Sequence, residues 1–240
     1  GENNTWININ SDLISEYSSI YDTYDIDDEM IEYALDKNER AHMEYNRRTK
    51  TLVVIYNVLN LSREENHYDT IPLTFIVRQN QIVTISNAQN EYIIDQIREE
   101  LEENMHWSVF NFLLHSLFTI SENYFPVIEK LNKEQQKISQ LLRKKTTKDN
   151  LFRLSDLEIE ATKQNAVVLE QLKTQQAFKA LDDSEREQLE DNIIEANQLV
   201  AMTELHLQIL HQIASTYNNV LNNNLNDTMK FLTVISILMT

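Results

Sequence analysis

The side chains of this chain that could do chemistry are carboxylates and amides. Asp and Glu number 38 against 21 Lys and Arg, a formal charge of -17 at pH 7. Acidic pairs recur, Asp182-Asp183 and Glu190-Asp191 among them. Such oxygen donors suit hard cations such as Mg2+ or Ca2+, although acidic surfaces also serve solubility alone. No spacing marks out one carboxylate as an acid and another as a base. Other catalytic classes fall away for want of residues. One Gly cannot build a phosphate-cradling loop, Cys is absent, and neither a G-x-S-x-G elbow nor an H-E-x-x-H helix occurs. His206 and His211 are five residues apart on one helical stretch, which places them on different sides. They read as packing or surface residues rather than zinc ligands. The chain is therefore expected not to be an enzyme. Nor does the acidic balance suit nucleic acid, whose phosphates need clustered Lys and Arg.

A second group lies near the C-terminus. Ser215, Asn219, Asn222, Asn226, Met229 and Thr233 follow an i, i+4, i+7, i+11 spacing that keeps them on one side of a helix. Asn is a poor helix former, so a cluster of them costs stability unless the amides are used. If several copies assemble symmetrically, side chains at one height form rings. Rings of amides can hydrogen-bond an ion's hydration shell, and an apolar constriction beyond them can gate by dewetting. Ordinary polar residues on a coiled-coil surface give the same pattern.

The element that must position both groups runs from Ser184 to Thr240. Leu189, Ile193, Ala196, Val200, Leu207, Leu210, Ala214, Tyr217, Leu221, Leu225, Met229 and Leu232 trace one apolar stripe, as in a helix packed on other long helices. Ser184 can cap it, with Glu187 completing a capping box. About 57 residues extend roughly 85 Å, the length of a stalk. From Phe231 the chain is almost wholly apolar, but for only about ten residues where a bilayer span needs about 20. It reads as the water-soluble part of a membrane protein that stops within its first transmembrane helix, or as a buried helix end.

The remaining elements follow in order. Thr5 to Ile9 reads as a strand, Asp12 to Tyr21 as a helix capped by Ser11, and Asp27 to Lys37 as a second helix with an acidic first turn. His42 to Arg47 and Thr51 to Leu59 read as strands, and Asn60 to Thr70 as a loop. Leu73 to Val77 and Gln81 to Ser86 form a hairpin around Arg78-Gln79-Asn80, and Glu91 to Glu103 is helical. Strands flanked by helices predict an N-terminal α/β/α layered domain with a mixed sheet over residues 1–104. After that no strand is expected. His106 to Lys145, kinked at Pro126, and Leu151 to Ala180 make a helical hairpin over 105–182, followed by the stalk over 183–228 and the membrane approach over 229–240. The fold class is thus α+β. The basic cluster Arg143-Lys144-Lys145-Lys148 at the hairpin tip reads as a solvated helix end. The absence of Cys fits a reducing compartment.

Several stretches resemble the CorA family of divalent-cation transporters. Asn226-Asp227-Thr228-Met229-Lys230-Phe231-Leu232-Thr233 is similar to the family's approach to its first transmembrane helix, and Thr5-Trp6-Ile7-Asn8-Ile9 to its opening strand. Glu32-Tyr33-Ala34-Leu35-Asp36 through Glu39-Arg40-Ala41-His42-Met43-Glu44-Tyr45 is similar to its acidic helix and "RPKxE"-like strand, with Ala41 and His42 replacing Pro and a basic residue. Tyr124-Phe125-Pro126-Val127-Ile128-Glu129 is also shared.

The resemblance implies a homopentameric channel in the cell membrane for Mg2+, and often Co2+ or Ni2+, with this region on the cytoplasmic side. It places Asn226 at the pore mouth and Met229 and Leu232 at apolar gating positions, beside Asn222 and Thr233 of the helical register. It also implies a Mg2+ sensor between neighbouring subunits that includes Asp191 and Glu32. Tyr33 stands where the family has Asp, and the acidic position expected near Phe118 or Thr119 is absent; Asp36 or Glu190 is the candidate substitute. The expected partners are further copies of the chain, the membrane and divalent cations. A zinc-transporting relative, and a soluble helical scaffold with no transport role, are the alternatives.

Overall fold

The computed structural model describes residues 4–62, 67–144, 156–157, 159–174 and 181–238. A single sheet organises the N-terminal part. Strand β3 (Thr51–Leu59) is buried along its whole length, as a strand covered on both faces requires. It sits between β2 (His42–Asn46) and β5 (Thr70–Arg78), and β6 (Gln81–Ser86) and β1 (Thr5–Asn10) complete the order β1-β6-β5-β3-β2. β1 runs parallel to β6, with Ile7 beside Val83, and the other pairs are antiparallel. The sheet is therefore mixed, as expected.

Alternation along the strands divides the core in two. Leu52, Val54, Tyr56, Phe75 and Val77 share a cluster with Ile93 and Ile97 of α3 (Glu91–Glu103) and Phe112, Leu113 and Leu117 of α4 (Val109–Glu122). Ile76, Val83, Ile85 and Ile9 face the other way. There they are covered by Tyr21 of α1 (Ser19–Thr23) and by Met30, Ile31 and Ala34 of α2 (Asp28–Leu35). In a chain with one Gly, the left-handed position of the β2–β3 turn falls to Lys50, at φ 51°. Asn46 supports that turn by accepting the Arg48 and Thr49 amides through Oδ1.

Four local expectations are corrected. The helix expected from Asp12 to Tyr21 is broken into a 3-10 turn (Ser11–Leu13), capped by Asn10 rather than Ser11, and the short α1. Ser15 and Ser18 accept the Tyr17 and Ile20 amides through their hydroxyls, local bonds that compete with a continuous helix. The loop after Asn60 contains a two-residue strand, β4 (His67–Tyr68), paired in parallel with β7 (Asp156–Leu157) beyond His106. Two residues are too few to show an alternating pattern.

The expected kinked helix is instead two, α4 and α5 (Phe125–Lys144). Asn123 breaks it by donating through Nδ2 to Thr119 O and Gln96 Oε1. Pro126 then lies in the first turn of α5, where a missing N–H costs nothing. Finally, the capping box at the long helix lies two residues earlier than read. Asp182 Oδ1 accepts the Glu185 amide at 2.8 Å, and Glu185 Oε2 accepts the Asp182 amide at 3.1 Å. Glu185 is buried, and the Ser108 hydroxyl donates to its other oxygen.

Helix α6 (Ile159–Thr174) returns along the long helix α7 (Asp183–Leu238), which has 56 residues. Of the basic cluster expected at the hairpin tip, Arg143 and Lys144 close α5, whereas Lys145 and Lys148 lie outside the described residues, as do residues 175–180 of the expected return helix. Leu189, Ile193, Ala196, Leu199, Ile213 and Tyr217 of α7 are buried. Polar groups share that face: Thr203 meets Thr162, and His206 Nδ1 lies 3.1 Å from Asn132 Oδ1. His206 is thus a packing residue, while His211 is exposed. Beyond Tyr217 the stripe loses its cover, and Leu221, Leu225, Met229 and Leu232 are exposed.

Candidate functional site

Helix α2 carries the first group of candidate ligands. Asp27 caps it by accepting the Met30 amide at 2.9 Å, and Asp28 and Glu29 occupy its first turn, where the macrodipole favours negative charge. Glu32 is exposed one turn later. Asp36 closes the helix: its amide donates to Glu32 O, and its Oδ1 accepts the Asn38 amide at 2.9 Å. Asp36 is therefore partly committed to the helix end, and Glu32 is the freer oxygen donor.

Tyr33, beside Glu32, is held from two sides. Its hydroxyl lies 3.0 Å from Glu29 Oε1 and 3.2 Å from Glu44 Oε1. The bond to Glu29 above all, together with the nearby negative charge, pushes the phenol well above its ordinary pKa. Its ring meets His42 edge-on, at 4.9 Å between centroids and 85°.

The second group sits on the long helix. Glu190 is 3.7 Å from Lys173 Nζ of α6, which offsets its charge. Asp191 is exposed and makes no ion pair among the described residues. The fold does not bring the groups together. Glu32 belongs to the layer packed on Ile76 and Val83, whereas Leu189 and Ile193, flanking Asp191, belong to the cluster on the opposite face of the sheet. Among the described residues no three His, Asp or Glu side chains are placed to hold a metal ion.

At Thr119, near the position where the family pattern carries an acidic residue that this chain lacks, the hydroxyl donates to Glu100 Oε1 of α3 at 2.8 Å. One turn on, burial and then the charges of Glu100 and Glu195 push the Glu122 carboxyl upward. These acidic residues on α3, α4 and α7 escaped the sequence reading because only the packing of the helices makes them neighbours.

The amide-rich end of α7 carries Asn222, Asn226, Met229, Leu232 and Thr233, all exposed. Thr228 and Thr233 return their hydroxyls to Asn224 O and Met229 O within the helix. Among the described residues no helix is long and apolar enough to cross a membrane.

A family model described as "CorA-like Mg2+ transporter protein" matches residues 1–240. The chain belongs to the CorA-like Mg2+ transporter family. The CorA-like fold is shared with solved structures of low sequence identity. The complete CorA magnesium transporter from Methanocaldococcus jannaschii superposes with a TM-score of 0.81 at 17% identity, over 98% of this chain and 75% of that one. The soluble domain of the same transporter gives 0.67 at 16% identity, over 88% and 86% of the two chains. The ZntB cytoplasmic domain from Vibrio parahaemolyticus RIMD 2210633 gives 0.68 at 10% identity, over 93% and 90%. No curated protein matches the chain by sequence. The CorA-like chain therefore has the fold of the soluble domain of a divalent-cation transporter, and the reading as an unrelated helical scaffold loses its support.

Proposed function

We propose that this chain is the cytoplasmic, ion-sensing part of a CorA-like Mg2+ channel, regulated by divalent ions bound between neighbouring copies. The observation that carries the reading is the separation of Glu32 from Asp191. Both are exposed carboxylates, one on each side of the layered domain. No single chain can close them on one ion, whereas a ring of copies sets α2 of one against the long helix of the next. Like charges gathered there repel, and a bridging divalent ion offsets that repulsion only in the closed arrangement. Asp36 and Glu190 flank the pair as supporting donors.

The uncovered end of the long helix supports assembly. Leu221, Leu225, Met229 and Leu232 form an exposed apolar face continuous with the buried one, and five such helices about an axis would cover it. Asn222, Asn226 and Thr233 then line the axis at its polar end, with Met229 and Leu232 as the apolar constriction leading to the membrane. Neutral amides suit an ion that keeps its waters, as Mg2+ does. Co2+ and Ni2+ are the further substrates that this reading admits. A Zn2+-transporting role is the competing one, and TM-scores of 0.67 and 0.68 to the CorA and ZntB domains do not separate them.

The test is the thermal midpoint and association state of the chain against Mg2+ and, separately, Zn2+. Millimolar Mg2+ should raise the midpoint or promote association, and Asp191→Asn should blunt the response. An unchanged response in Asp191→Asn removes Asp191 from the site, and a response to Zn2+ alone favours the zinc reading.

A further inference from the structure

We infer that Tyr33 is a positioning residue, whose side chain latches α2 to the edge strand β2 and thereby sets where Glu32 stands; this rests on the ion-sensing reading above. Helix α2 needs such a latch. It has eight residues, none of them buried, and helices shorter than about 12–15 residues are marginal without tertiary support. One side rests on the sheet through Met30, Ile31 and Ala34. On the other, a cleft of about 490 Å3 opens between α2 and the β2–β3 turn, lined by Asp27, Glu29, Glu44, Arg47 and Arg48 among others.

Tyr33 crosses that cleft. A phenol has one proton to give, and two carboxylates lie within reach of it, Glu29 on α2 at 3.0 Å and Glu44 on β2 at 3.2 Å. The shared proton holds together two groups that would otherwise repel across the gap. His42 secures the far side. Its Nδ1 is 2.8 Å from Arg40 O, and its Nε2 is 3.9 Å from the same Glu44 oxygen that faces Tyr33.

Tyr33 and His42 are two of the positions at which the chain departs from the pattern it resembles. Here they touch each other and share one carboxylate. A carboxylate at position 33 could not make this bridge, because no proton would stand between it and Glu44. Tyr33 therefore exchanges a charge for a tether. Glu32, its immediate neighbour, projects from the backbone segment that the tether fixes, and a donor already ordered loses less on binding.

The experiment is a Mg2+ titration of the thermal midpoint of the whole chain, read as the concentration giving half the full shift. Tyr33→Phe keeps the ring and its contact with His42. Its midpoint without Mg2+ should stay within the small range of surface substitutions, while the half-effect concentration rises about three- to tenfold, the worth of one hydrogen bond. Glu44→Gln and Glu44→Ala remove the same charge, but only Gln keeps an acceptor, so Ala should weaken the response further than Gln. Tyr33→Phe responding at wild-type or lower Mg2+, or Gln and Ala behaving alike, overturns the latch while Asp191→Asn still reports on the ion site. A wild-type chain indifferent to Mg2+ overturns both.

Discussion

Asn165 of α6 stands in for a missing strand beside Asn57 of β3. Its Oδ1 accepts the Asn57 amide and its Nδ2 donates to the Asn57 carbonyl, both at 2.8 Å. The need arises because β2 ends where His42 meets Ile55, which leaves the next outward-facing groups of β3 without a ladder partner. A carboxamide presents one donor and one acceptor in the spacing of a peptide group, so it completes the pairing. Both residues are buried. The contact also docks the helical hairpin onto the sheet.

Asn165→Ala should therefore destabilise the chain by about 1–3 kcal/mol, the cost of one unsatisfied buried N–H. The carbonyl keeps a partner, since the Tyr124 hydroxyl donates to it at 2.8 Å. Denaturant unfolding measures the loss. Hydrogen exchange locates it: the Asn57 amide should exchange faster in the variant while Ile55, paired with β2, stays protected. An unchanged Asn57 amide would show that the clamp is not what holds this edge.

The start of the long helix offers a choice between two caps of identical spacing. The Asp182–Glu185 reciprocal pair predicts that Asp182→Ala costs about 0.5–2 kcal/mol, the usual range for losing a cap. Ser184→Ala, inside the first turn, should cost nearly nothing. Equal losses in the two variants would contradict the observed cap, and urea unfolding resolves a difference of this size.

Legibility of the chain followed the length of its signals. β3 and α3 carry long, strongly patterned runs, and their ends coincide with the sequence reading at Thr51, Leu59, Glu91 and Glu103. Three of the four failures are places where a polar side chain intervenes, namely Ser15 and Ser18 before α1, Asn123 before α5, and Asp182 at the cap, and the fourth is the two-residue pair β4–β7. Helical periodicity does not register such bonds. In the candidate site, the sequence placed Glu32 and Asp36 on one short helix and Asp191 on the long one. The role of Tyr33 was illegible because its bond to Glu44 spans eleven positions and a turn of unknown course. The cluster of Glu100, Glu122 and Glu195 was hidden for the same reason.

That cluster has a consequence for stability. The Glu122 carboxyl is raised by burial first, then by Glu100 and Glu195. A group whose folded pKa exceeds its unfolded value favours the folded state below the unfolded pKa, and that contribution is lost as pH rises through the folded pKa. At neutral pH the ionised Glu122 therefore works against the fold. Glu122→Gln should melt higher than wild type at pH 7, with the gap closing toward pH 4. Glu122 is only partly withdrawn from solvent, which keeps the gain small. A Glu122→Gln chain that melts lower at pH 7 would contradict the assigned repulsion.

His115 shifts in the opposite sense. It stacks flat on Trp107, with centroids 4.2 Å apart and 7° between planes, and burial lowers its pKa below the ordinary 6.5. A depressed pKa means stability that is present above the unfolded value and lost as pH falls through the folded one. Acidification below about 6.5 should therefore begin to destabilise the α3–α4 corner. Trp107 supplies a local reporter, because an imidazolium at stacking distance quenches indole emission that a neutral ring leaves bright. Trp6, 5.0 Å from Phe112 and bonded to Thr84, gives a steady background. Emission should fall with a midpoint below 6.5, and His115→Gln should abolish that step along with its share of the acid destabilisation. A midpoint above 6.5, or a quenching step that survives in His115→Gln, would assign the titration to another group.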